Sequence, residues 1–143
     1  MMVRRRALES VGGFDRNLGR EAAEDADLCW RVRRAGWRVE YARGVEVVHH
    51  HRATIAAMLR QVNWYGRGSA ALFARWREDF GWWRYTDWGV YRRLGRGLIL
   101  AGPALMAGET HYQRWSRVLE AADAAAFLAG KWSGALKHRV LFL

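Results

Sequence analysis

Apolar positions recur at helical spacing through Leu28, Val32 and Ala35, while Arg31, Arg33 and Arg34 fall largely off that face, so the pattern predicts a helix over residues 25 to about 35. Gly36 stands where such a helix stops. The period then changes. In WRVEYA, residues 37–42, Trp37, Val39 and Tyr41 alternate with Arg38 and Glu40, which predicts a half-buried strand. After Arg43-Gly44 the run VEVVHHH continues in extended style, with Val45, Val47, His49 and His51 on one side and Glu46, Val48 and His50 on the other. The helical period returns beyond Thr54 through Ile55, Met58, Leu59, Val62, Tyr65, Leu72, Phe73 and Trp76, with Gly66 and Gly68 expected to bend or break it. An aromatic loop, EDFGWWRYTDWG, separates this stretch from two more apolar helices, roughly 91–107 and 113–130, with Pro103 kinking or ending the first. Ahead of all of these, MMVRR reads as a strand end feeding a short helix, ALESV, followed by the turn VGGFD and the loop RNLGREA.

Length and composition narrow the class. The 143 residues suffice for one domain with a sizeable core, and 51% hydrophobic with 27% charged residues is not the composition of a disordered tail. The formal charge is +10, and all the basic residues except Lys131 and Lys137 are arginine, the side chain best suited to phosphate and carboxylate. An anionic partner or a plain compositional bias accounts for this equally well. The lone Cys29 excludes an internal disulfide, which makes a cytoplasmic location the default. The opening lacks the apolar stretch of a signal peptide. The longest apolar run, LILAGPALMAG, falls short of the roughly 20 residues that span a bilayer.

Against this basic background, Glu24, Asp25 and Asp27 place three carboxylates in four positions at a helix start. Acid in a first helical turn complements the helix dipole, at about 0.3–1 kcal/mol each. Three are more than capping needs, and such close acids repel unless a cation, a hydroxyl or an arginine shares the site. The helix carries the chain roughly 15 Å away and the expected strand returns it about as far, so the histidines come back near the acids if the turn at Arg43-Gly44 keeps them at that end. A histidine beside carboxylates is a candidate ligand for a divalent cation, manganese accepting mixed nitrogen and oxygen donors more readily than magnesium. The plainer reading is a strand edge with exposed imidazoles.

Gly-Gly-Phe-Asp, Glu-Asp-x-Asp-Leu, a basic helix ending in Ala-Gly-Trp and an extended run ending in histidine together resemble the second half of the catalytic domain of family-two glycosyltransferases. Those are inverting enzymes of the GT-A fold. The resemblance covers residues 2 to about 54, with a weaker echo in QVNWYGRGSAALF. It implies an incomplete α/β fold, the C-terminal part of a GT-A domain over residues 1–54, followed by a mostly helical, membrane-associating tail over 55–143. It also implies that Asp25 is the catalytic base acting on an acceptor hydroxyl, that Glu24 and Asp27 line the acceptor pocket or orient Asp25, and that Asp15 lies near the acceptor. An N-cap is the plainer role for Asp15. His49 takes the place of a ligand to manganese or magnesium, with His50 and His51 as weaker candidates.

The implied partners are a nucleotide-sugar donor and a glycan or lipid-linked acceptor of the cell envelope. The donor-binding strands and an Asp-x-Asp metal motif are expected in a complementing N-terminal half, without which the chain is expected to be inactive. The mixture of arginine, tryptophan and tyrosine in WWRYTDWGVYRRLGRG suits a lipid headgroup zone. A non-catalytic basic module binding a membrane surface or nucleic acid is the rival. Nucleic acid is the weaker partner, because the arginines are spread along the whole chain and the acidic helix start is left unexplained.

Overall fold

The computed structural model describes residues 1–18, 22–48, 50, 52–79, 88–104 and 110–142. Five helices follow one another: α1 (Arg5–Ser10), α2 (Glu24–Arg34), α3 (Ile55–Trp76), α4 (Trp88–Ala104) and α5 (His111–His138). Single 3-10 turns occupy Arg16–Leu18 and Arg77–Asp79.

The N-terminal unit is small. Ala7 of α1 packs against Leu28 and Val32 of α2, with Leu8, Val11 and Trp37 closing the cluster. Both helices end in the same way. Past α1 the N–H groups of Gly12 and Gly13 donate to the carbonyls of Glu9 and Leu8; past α2 those of Gly36 and Trp37 donate to Arg33 and Val32. Gly12 and Gly36 sit at φ +74° and +85°, the left-handed conformation this reversal requires and glycine adopts without a Cβ penalty. The Gly36 turn folds Trp37 back onto Val32, and its indole donates to Ser10 Oγ at 3.1 Å.

Beyond Trp37 the expected α/β architecture is not found. No strand occurs among the described residues, and the run 38–48 is irregular chain whose apolar side chains face solvent, Tyr41 at 90% and Val48 at 82% exposure. Alternation marks a strand only when one face has something to cover it and the backbone N–H and C=O groups find a ladder partner. No described segment pairs with this one.

The rest is a helical assembly. Thr54 caps α3 by accepting the Ala57 N–H, and Thr110 with Gln113 forms a reciprocal capping box on α5. α3 runs unbroken through Gly66 and Gly68 and packs along α5. Gly66 serves close approach instead of a bend. A Cβ on Gly66 would lie 2.1 Å from Phe127 O, and one on Gly130 of α5 would lie 1.9 Å from Asn63 O. Gly130 therefore sits inside α5 where the sequence pattern ended that helix. Asn63 Nδ2 ties the seam by donating to Ala126 O at 3.1 Å.

α4 starts at Trp88, a little before the expected 91, and contains Pro103 in its last turn; most of the aromatic loop, including Trp82 and Trp83, lies outside the described residues. It packs on α5 through Val90, Ala124 and Leu128, with Gly97 against Ala121. After α5 the chain turns back, the Phe142 ring stacking on Phe73 at 4.3 Å and lying 3.8 Å from Lys131 Nζ, a lysine with no exposed surface.

The two kinds of glycine predict opposite mutational signs. Gly130→Ala should destabilise by about 1–3 kcal/mol through overpacking of the α3–α5 seam. Gly95→Ala, where a Cβ meets nothing within 4 Å, should stabilise by about 0.5–1 kcal/mol through helix propensity. Urea unfolding midpoints compared at constant slope read both.

Candidate functional site

α2 begins at an N-cap, Ala23, that makes no side-chain cap bond, leaving Glu24, Asp25 and Asp27 inside the first turn. The three acids have different surroundings. Glu24 and Asp25 are exposed and make no ion pair among the described residues; an Asp25 oxygen accepts the Ala26 N–H at 2.7 Å. Asp27, two positions on, is fully buried.

Each Asp27 oxygen is committed to the protein. Arg31, one turn along α2, donates through Nε to Oδ2 at 2.7 Å. On Oδ1, Trp76 Nε1 donates at 3.1 Å and Arg75 Nε stands at 3.2 Å, both from the last turn of α3. The arginines then reach outward. Arg31 Nη1 donates at 2.7 Å to the carbonyls of both Val11 and Gly13, and Arg75 Nη1 pairs with Asp15 Oδ2 at 2.5 Å. Asp15 holds its own turn by accepting the Asn17 N–H at 2.8 Å. The Asp27 carboxylate thus fastens the glycine turn, α2 and α3 to one another. Trp30 stacking on Trp76 at 6.0 Å and an Arg34–Asp79 pair at 3.0 Å reinforce the junction.

An open cleft of roughly 530 Å³ lies over this network, with Gly13, Phe14, Asp15, Arg16, Arg31 and Arg75 in its walls. Phe14 is half exposed, and Arg31 Nη2 is buried without a hydrogen-bond partner among the described residues. An aromatic ring flanked by a carboxylate and guanidinium groups can stack on one face of a polyhydroxylated ligand and bond its hydroxyls. The Arg75 guanidinium, and then the Asn17 N–H, hold the Asp15 carboxyl below its ordinary 3.8.

The structure therefore joins two of the sequence-predicted acids, Asp15 and Asp27, through Arg75, and leaves Asp25 and Glu24 outside that network. His49 and His51 lie outside the described residues, and His50 is exposed. No group of three His, Cys, Asp or Glu among the described residues is arranged to hold a metal, so the described acids do not by themselves make a cation site. Sequence reasoning did not single out Arg31, Arg75 or Trp76. The four-residue spacing of Asp27 and Arg31 is a legible signal for the first; nothing local pairs residue 27 with residues 75 and 76.

Residues 1–132 match the family described as glycosyl transferase family group 2, and the chain belongs to it. The match runs well past the resemblance seen over residues 2–54. Over 75 residues, 52% of this chain, it is 36% identical to the pre-mycofactocin glycosyltransferase of Mycobacterium tuberculosis, covering 16% of that protein. Over 76 residues, 53% of this chain, it is 33% identical to the succinoglycan biosynthesis protein ExoA of Rhizobium meliloti, covering 22% of it. The chain thus spans under a quarter of the length of these curated relatives. No solved structure matches.

The different surroundings of the acids separate their mutational effects. Asp27→Ala strands two arginines and should cost about 3–5 kcal/mol, whereas Asp25→Asn should stay within about 0.5 kcal/mol of the parent; chemical denaturation distinguishes them. For Asp15 the folded-state value is depressed, so its pairing stabilises the fold above the unfolded-state value and is lost as pH falls through the folded one. Asp15→Asn should therefore be destabilising at neutral pH and lose that effect in acid, as read by thermal melts across the range.

Proposed function

We propose that the chain supplies the acceptor-side part of an enzyme that transfers a sugar from a nucleotide sugar to a hydroxyl, with inversion at the anomeric carbon. Membership of a glycosyltransferase family supports the reaction class. The observation that carries the residue assignment is the contrast within one helical turn. Asp25 offers an exposed carboxylate with no ion pair among the described residues, two positions from an Asp27 whose oxygens are both held.

In this reading Asp25 removes the proton from the acceptor hydroxyl. The oxygen forms its new bond to the anomeric carbon as the bond to the nucleoside diphosphate breaks, and the leaving group departs with that electron pair. A carboxylate poised in this way contributes roughly 10²- to 10⁴-fold in rate. Asp27 takes the orienting role, because clamping the first turn of α2 fixes where Asp25 points. Glu24 and Asp15 contact the acceptor, Asp15 from the cleft where Phe14 offers a surface for a sugar ring.

A manganese or magnesium ion, with His49 among its ligands, would stabilise the developing charge on the diphosphate. The described residues alone do not provide its donor set, and the proton transfer at Asp25 does not pass through it. The donor-binding residues belong to a complementing segment outside this sequence. One relative is named for succinoglycan biosynthesis, which supports a glycan or lipid-linked acceptor of the cell envelope. None of the helices, in the described residues, is long and apolar enough to cross a membrane; the reading places the protein on the cytoplasmic side, peripheral to the cell membrane.

With the donor-binding segment supplied in cis or in trans, Asp25→Asn should lower kcat by about 10²- to 10⁴-fold and leave the donor KM within about twofold. Release of nucleoside diphosphate in the presence of acceptor measures both. Turnover close to that of the unsubstituted protein would assign the proton to another group.

A further inference from the structure

α4 has one side committed to α5, through Val90, Leu94 and Gly97, and no acidic residue anywhere along it. Its opposite side, at helical spacing, presents Trp88 and Ile99, 73% and 72% exposed, interleaved with exposed Arg92 and Arg96. Leu98 and Arg93 flank that stripe, also in solvent. The helices run antiparallel, since Val90 meets Leu128 while Gly97 meets Ala121. The exposed Leu98-Ile99 pair therefore lies toward the N-terminal end of α5. Arg92, Arg93 and Arg96 line a second cleft, of roughly 330 Å³, whose single carboxylate is Glu120.

We propose that this face docks on the surface of an anionic phospholipid bilayer. Ile99 and Leu98 enter the boundary between headgroups and acyl chains, and Arg92, Arg93 and Arg96 lie against lipid phosphates. Exposed aliphatic and aromatic side chains beside unbroken positive charge are the chemistry of a helix lying in a membrane interface. Charge decides the occupant. Three arginines against one glutamate complement an anionic sheet, and a net charge of +10 opposes a second copy of the chain on the same face. The proposal deepens the reading above by naming the surface on which its peripheral placement rests, and it is tested without sugar nucleotide, so that failure of either is visible separately.

The full chain is co-sedimented with vesicles of phosphatidylglycerol and phosphatidylcholine, and with vesicles of phosphatidylcholine alone. Binding should require the anionic lipid and weaken with added salt. Arg92→Ala and Arg96→Ala should each reduce it about fivefold, and Ile99→Glu by about tenfold or more, with far-ultraviolet circular dichroism unchanged. No binding by the unsubstituted chain, equal binding to neutral vesicles, or variants that bind like the parent would overturn the proposal. So would a dimer in solution that Ile99→Glu dissociates while vesicles are ignored, which would hand this face to a second copy.

Discussion

Burying a carboxylate costs several kcal/mol unless it is matched by cations and hydrogen bonds, and Asp27 is matched on both oxygens by side chains that come from two helices. The arrangement is directional. Arg31 reaches Asp27 along its own helix and turns its Nη1 to two carbonyls of the glycine turn, while Arg75 and Trp76 arrive from the far end of α3. Replacing any one of these groups leaves the others with desolvated charge or an unfilled bond. The N-terminal unit has only a small apolar cluster of its own, so this polar clamp, more than packing, sets how the acidic turn of α2 sits against the helical region.

The helical region is organised by backbone proximity. At Gly66 and Gly130 each helix presents bare backbone to the other, and the Asn63 amide bonds across to Ala126. Close approach lengthens the shared dispersion surface and fixes the rotation of α3 about its axis. Trp76, on the final turn of that helix, is then aimed at Trp30 and Asp27. The α3–α5 seam and the acidic turn are coupled through one continuous helix.

What the sequence discloses follows the range of the interaction. α2 was legible in full, because its apolar period, its basic last turn and its Gly36 stop are all local. The Asp27–Arg31 pair was legible for the same reason. Run 37–48 has the alternation of a strand and yet forms none among the described residues, since alternation records a preference and pairing requires a neighbour. Gly66 and Gly68 read as breakers because intrinsic propensity says so, whereas the reason for Gly66 lies in a helix more than sixty residues away. Arg75 and Trp76 gave no signal at all: an arginine and a tryptophan at a helix end have many uses, and only the fold selects Asp27 as their partner. Asp25 was reached through family resemblance, and its exposure adds a physical contrast that composition could not supply.

The placement of Lys131 has a practical corollary. The chain has two lysines; one is enclosed beneath the Phe142 ring and the other, Lys137, faces outward in the last turn of α5. Amine-directed reagents therefore meet a single lysine side chain on the native fold, besides the α-amino group of Met1.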